Sequence, residues 1–134
     1  MDNEHKDQPR NWQQLVAQLL VPQADNTYSG VFASNDDWFK VTKNGGVFDH
    51  GPSLKIHNHS PDGFAWGYAG SGPAQLALAI LFEETGNPVV AQHFYMDYKW
   101  EVVSKLSKEE GKVWTLTSSD IRRWLREKSE VNDG

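Results

Sequence analysis

Cysteine is missing from this chain altogether. That excludes disulfides and thiolate metal centres and suits a reducing cytoplasm. No apolar run approaches the roughly 18 residues that a bilayer-spanning helix needs. The opening Met1-Asp-Asn-Glu-His-Lys-Asp-Gln-Pro-Arg10 lacks the apolar stretch of a secretory signal. Basic residues are scarce over most of the length: residues 1–98 hold 5 Lys/Arg against 11 Asp/Glu, whereas residues 99–134 hold 8 against 7. This balance argues against non-specific nucleic-acid binding, which works by neutralising phosphates. Acids spread so thinly fit ordinary solvation rather than nucleic-acid mimicry. Repeats, low-complexity tracts and interdomain linkers are absent too. The expectation is a soluble cytoplasmic protein with neither a membrane nor nucleic acid as partner.

What the chain does have is aromatic bulk. Six Trp, six Phe and four Tyr in 134 residues supply one core, each ring burying roughly 150–250 Å². Residues 1–10 are expected to be a disordered tail, and residues 11–130 a single α+β domain. Trp12, Leu15, Val16, Leu19 and Leu20 follow helical spacing behind Asn11, a fitting N-cap, and Pro22 stops that helix. Residues 28–34 and 38–42 are rich in aromatic and β-branched side chains and predict strands. Lys43-Asn44-Gly45-Gly46 predicts a tight turn, with Val47-Phe48 continuing as strand, Asp49 to Pro52 turning again, and Leu54-Lys55-Ile56 as a last apolar piece. Three or four short antiparallel strands therefore come from the first half.

The second half reads as helices. Pro73 to Thr85 has Pro at its start and Gly86 at its stop, and its residues 76–82 are apolar on every side, which predicts a buried central helix. Phe94, Tyr98, Val102 and Leu106 recur every fourth residue and predict helix over 90–106, against the strand-like alternation of Phe94, Met96, Tyr98 and Trp100. Residues 107–112 form a charged loop and Val113 to Leu116 a short strand. Thr117-Ser-Ser-Asp120 has capping-box spacing and opens a helix over 118–128 with Ile121, Trp124 and Leu125 inward.

Four features invite a chemical reading. The turn Gly67-Tyr-Ala-Gly70-Ser-Gly-Pro73 precedes a helix start, where free N–H groups can hold an anion. It lacks the Gly-Lys-Ser/Thr of a phosphate loop, and Gln75 stands where the third glycine of G-x-G-x-x-G belongs. Pro73 removes a donor, and Ala69 breaks the glycine frame of a nucleophile elbow around Ser71. Trp66, Tyr68, Gly70, Ser71 and Gly72 remain as a candidate ligand-binding set. His57 and His59, spaced H-x-H with His50 nearby, have donor types that zinc accepts, and Asp49 or Asp62 could add an oxygen, but a full ligand set is not evident. Glu83 and Glu84 are helix neighbours pointing apart, and Asp36-Asp37 read as turn residues. Arg122, Arg123, Arg126 and Lys128 make the last helix basic, diluted by Asp120, Glu127 and Glu130; a solvated face accounts for them. Nothing stands out as catalytic, no metal site is assigned and no cofactor is expected.

The run Gly63-Phe-Ala-Trp-Gly-Tyr-Ala-Gly-Ser-Gly-Pro-Ala-Gln-Leu-Ala-Leu-Ala-Ile-Leu81, together with Tyr28-Ser-Gly30 and Trp114-Thr-Leu-Thr117, resembles an uncharacterised family, a domain of unknown function, of small bacterial, plasmid and phage proteins. The resemblance spans roughly residues 28–126 and omits the helix around Trp12. It implies a mobile-element setting and no catalytic residues. The resulting expectation is a non-enzymatic interaction protein that binds a host protein, inhibiting a defence or regulatory system. Two alternatives stand beside it: a small-ligand or anion-binding protein or small enzyme built on the turn at 67–73, and a histidine-based metal-binding protein.

Overall fold

The computed structural model describes residues 11–20, 25–33 and 38–133. The expected tail at 1–10, the stop at Pro22 and the Asp36-Asp37 pair lie outside them. The elements run α1 (Trp12–Leu19), β1 (Thr27–Ala33), β2 (Trp38–Lys43), β3 (Gly46–Val47), α2 (Gly51–Ile56), α3 (Ser71–Thr85), α4 (Pro88–Glu101), a 3-10 turn at Val103–Lys105, β4 (Trp114–Thr117) and α5 (Ser118–Asp133). The fold is α+β: a four-stranded antiparallel sheet in the order β3-β2-β1-β4 with helices packed on it.

Helix α1 starts where the sequence says, with Asn11 Oδ1 accepting the Gln14 N–H at 2.8 Å. The β2–β3 turn uses Asn44 at φ 52° and Gly45 at φ 85°, the left-handed pair that matches the twist of a two-residue hairpin. Leu54-Lys55-Ile56 departs from expectation. Gly51-Pro52 opens a short helix there, with Pro in its first turn, where a missing N–H costs nothing. The fourth strand is the short one expected at Val113 to Leu116, found at Trp114–Thr117, and it pairs Gly30 with Trp114 and Tyr28 with Leu116.

Strand alternation gives the sheet one core face, where Tyr28, Gly30, Val41 and Trp114 are buried. Helix α3 is the centre of the molecule. It begins at Ser71, two residues before Pro73, and Leu76 to Leu81 are buried without interruption. Residues 90–106 are helical: α4 covers them to Glu101 and the 3-10 turn continues. Asn87 caps α4, accepting from both Val89 and Val90. Ile121 and Leu125 of α5 are fully buried, with Trp124 partly so.

The Thr117–Asp120 capping box forms with both bonds at 3.1 Å: Thr117 N–H donates to the Asp120 carboxylate, and Asp120 N–H to the Thr117 hydroxyl. The Thr117 backbone bond above all, with Arg123 alongside, holds the Asp120 carboxyl below its ordinary value against the opposing effect of burial. Thr117→Ala is expected to cost about 1 kcal/mol, read from the urea midpoint. A depressed folded-state pKa means that this stabilisation is present at neutral pH and lost as pH falls through the folded value. The stability gap between the wild type and Asp120→Asn is therefore expected to close in acid.

Candidate functional site

The sequence brings an aromatic hairpin and a glycine-rich loop to the same side of α3, and a cleft lies between them. Phe39, Lys40, Val41 and Thr42 of β2 form one wall, with Val47 and Phe48 continuing it; Ser60, Asp62, Gly63, Phe64 and Ala65 form the other, and Tyr68, Ser71 and Gly72 close the end. Its volume is about 980 Å³, within the range of ligand-binding clefts. Phe64 stacks on Phe48 with ring centroids 5.5 Å apart, and His50 packs edge-on against Phe64.

The loop wall is held from behind. Gln75, fully buried on α3, accepts the His59 and Ser60 N–H groups at 2.7 and 3.0 Å. Its amide nitrogen donates to Ser53 Oγ at 2.9 Å and to the His57 carbonyl at 3.1 Å. One side chain thus fills its hydrogen-bonding capacity and ties 57–60 to α2 and α3. The Trp66 indole donates to the Ser107 carbonyl at 2.9 Å, and Gly67 N–H to the Val103 carbonyl at 3.1 Å. Gly67 sits at φ 80°, and a Cβ there would press on the Leu106 carbonyl at 3.0 Å. Glycine is required at that point.

The candidate set divides. Tyr68, at 43 % exposure, and Ser71 and Gly72 line the cleft. Trp66 is a core residue, edge-on to Phe39 and Trp114. Gly70 lies under the Tyr68 ring, where a Cβ would come within 2.6 Å of Cε2. Lys108 Nζ stands 5.0 Å from the centre of that ring.

Ser71 and Gly72 differ as probes. A Cβ on Gly72 would meet the Ala65 Cβ at 2.6 Å, whereas Ser71 is exposed. Gly72→Ala is expected to cost about 1–3 kcal/mol through overpacking, and Ser71→Arg to leave the melting temperature within about 2 °C while filling the cleft end. Thermal unfolding of the two variants checks this. Melting of Ser71→Arg far below the wild type would disqualify it as a cleft probe.

The histidines are stacked, His57 on His59 with centroids 4.0 Å apart, in a loop rather than a strand. His59 Nε2 is engaged with the Tyr95 hydroxyl at 2.7 Å, and His50 Nε2 with the Pro61 carbonyl at 3.0 Å. Burial first, then His57 and Lys99, lower the His59 pKa. Among the described residues, no group of three or more His, Asp or Glu side chains is placed to hold a metal.

Glu84 has a role that its sequence neighbourhood hides. While Glu83 pairs with Lys43, Glu84 Oε2 accepts the Tyr28 hydroxyl at 2.6 Å, Ser118 Oγ at 2.9 Å and Asn26 Nδ2 at 3.1 Å. The carboxylate joins β1, α3 and the start of α5. Burial and this bond push the Tyr28 phenol far up, so it stays a donor. On α5, Arg122 pairs with Asp25, Arg123 with Asp120, and Lys128 with Asp97 and Glu101.

Residues 28–127 match a family of unknown function, DUF6166, and the chain belongs to it. No curated protein and no solved structure gives a match.

Proposed function

We propose that this protein is a non-enzymatic interaction module whose binding site is the cleft between β2–β3 and the 60–72 loop. The observation that supports it is the cleft itself: about 980 Å³, with Phe39, Phe48, Phe64 and Tyr68 in its walls and Lys40, His50, Asp62 and Ser71 among the polar groups that border it. Aromatic surface gathered in a concave site is what recognition uses for affinity. Following the resemblance to small phage and plasmid proteins, the proposed partner is a host protein, bound so as to inhibit a defence or regulatory system. A second reading, binding of a small ligand or anion, has Ser71 and Gly72 in its favour, since they bring the start of α3 to the same cleft.

The test is capture from a bacterial host lysate with three baits: wild type, Ser71→Arg and Tyr68→Ala. The expected result is one host protein at near-stoichiometric yield on wild type and at least ten-fold less on the cleft variants. Equal recovery on all three baits would remove the cleft from the interaction. A small-molecule site would instead appear as a ligand-dependent rise in melting temperature, lost in Ser71→Arg without loss of fold.

A further inference from the structure

The cleft is lined by four consecutive β2 residues, Phe39 to Thr42. Side chains on a strand alternate between two faces, so four in a row can border one cavity only along the strand's edge. That edge is open. Strand β3 pairs with Thr42 and Lys43 alone, and one further bond runs from Phe48 N–H to the Val41 carbonyl at 3.1 Å. Among the described residues, no strand lies on the β3 side of β2 ahead of Val41, while β1 pairs along its other side.

The direction of the free groups follows from the register. Because the Val41 carbonyl points toward β3, its N–H does too, and so do the N–H and carbonyl of Phe39 two residues earlier. Residues 38, 40 and 42 turn theirs toward β1, opposite Ala33, Val31 and Ser29. The cleft thus presents, along one side, the donor–acceptor row of an unfinished sheet, and on the other side apolar rings.

We infer that the occupant is an extended segment of another protein, added as a strand antiparallel or parallel to β2, with an apolar side chain seated among Phe39, Phe48 and Phe64. A compact small molecule meets one such backbone group; an extended peptide meets the row. Charge adds a preference. Lys40 is exposed beside this edge and has no ion pair among the described residues, so it favours an acidic residue in the peptide next to the seated apolar one. This rests on the cleft being the binding site.

The probe is a random twelve-residue peptide library selected against the full chain. Expected binders carry alternating apolar residues and an acidic one, slow the amide exchange of Phe39 and Val41 at least ten-fold, and lose at least ten-fold in affinity when alternate peptide nitrogens are methylated. Lys40→Glu weakens them several-fold, by an amount that shrinks with added salt. Binders that Ser71→Arg displaces, but that leave both amides unprotected and tolerate N-methylation, would overturn strand addition while keeping the cleft. Binders indifferent to Ser71→Arg, or no binders at all, would overturn both. A dimer in sedimentation that Ser71→Arg abolishes would replace the foreign peptide by a second copy of this chain.

Discussion

Gln75→Leu is expected to destabilise the protein by about 3–5 kcal/mol, a fall in melting temperature of about 10–20 °C for a chain of this size. The leucine fills much of the same space, so the loss is polar. It strands the His59 and Ser60 N–H groups, which Gln75 Oε1 accepts, together with the His57 carbonyl that its Nε2 reaches, while Ser53 Oγ keeps its bond to the His50 carbonyl. Each unsatisfied buried group costs about 1–3 kcal/mol, and those nearer the surface regain part of it from water. Gln75→Glu separates the two halves of the clamp. Its carboxylate still accepts the two N–H groups, but it faces the His57 carbonyl and needs a proton there. Its folded-state pKa is therefore raised, so stability is recovered below the unfolded carboxylate value and lost as pH rises through the folded one. Urea unfolding of both variants from pH 4 to 8 checks the sign. Amide exchange across residues 57–64 should rise in Gln75→Leu ahead of global unfolding, because that loop loses its three bonds to Gln75 and keeps those of His59 to Tyr95 and Pro61 to His50. A cost below 1 kcal/mol, or a pH-independent Gln75→Glu, would show that the loop is held elsewhere.

Gln75 also shows where reading the sequence stops. Periodicity and punctuation carry the architecture: Asn11 caps α1, Asn44-Gly45 turns the hairpin, Asn87, Pro88 and Gly86 bound the central helices, and Thr117–Asp120 boxes α5. These signals are local, acting between residues at most four apart. Leu54 to Ile56 misleads because two apolar residues around Lys55 fit a strand as well as one turn of helix, and only the partner decides. The site rests on longer connections. Gln75 looks like a failed glycine in a phosphate motif until His57, His59 and Ser53 fold around it. Glu84 looks like half of an idle acidic pair until Tyr28 and Ser118, 56 and 34 residues away, converge on it. Tyr68, Ser71 and Gly72, which line the cleft, stand out in the sequence because a glycine-rich turn ahead of a helix is itself a local signal. The facing wall of the cleft, Phe39 to Phe48, was not, since nothing in a strand's sequence says which loop it will meet.

Gly30→Ala is expected to cost about 3 kcal/mol, and to cost nearly nothing once Trp114 has been replaced by leucine. A Cβ at position 30 collides with the Trp114 indole, meeting Cε2, Cζ2 and Nε1. The ring cannot swing clear. It packs against Trp66 in a T-shaped pair at 5.2 Å, and Trp66 is held in the same way against Phe39 at 4.8 Å. Overpacking at such a site usually costs 1–3 kcal/mol, and the rigid neighbours place this one at the upper end. Trp114→Leu alone opens a cavity, at about 3–5 kcal/mol. It strands no polar partner, because the buried Trp114 Nε1 meets no hydrogen-bond acceptor among the described residues. In that background alanine at 30 has room, and losing a strand glycine gives back a few tenths of a kcal/mol. The double-mutant cycle should therefore show a coupling of about 3 kcal/mol, and additive costs would mean that the indole yields. The cycle also joins two distant stretches of the matched residues 28–127. Tyr28-Ser-Gly30 and Trp114-Thr-Leu-Thr117 lie more than eighty residues apart, yet the register sets Gly30 opposite Trp114 and Tyr28 opposite Leu116. The glycine of the first stretch admits the tryptophan of the second, and Trp114, together with Phe39, seats the sheet on Trp66 behind the cleft.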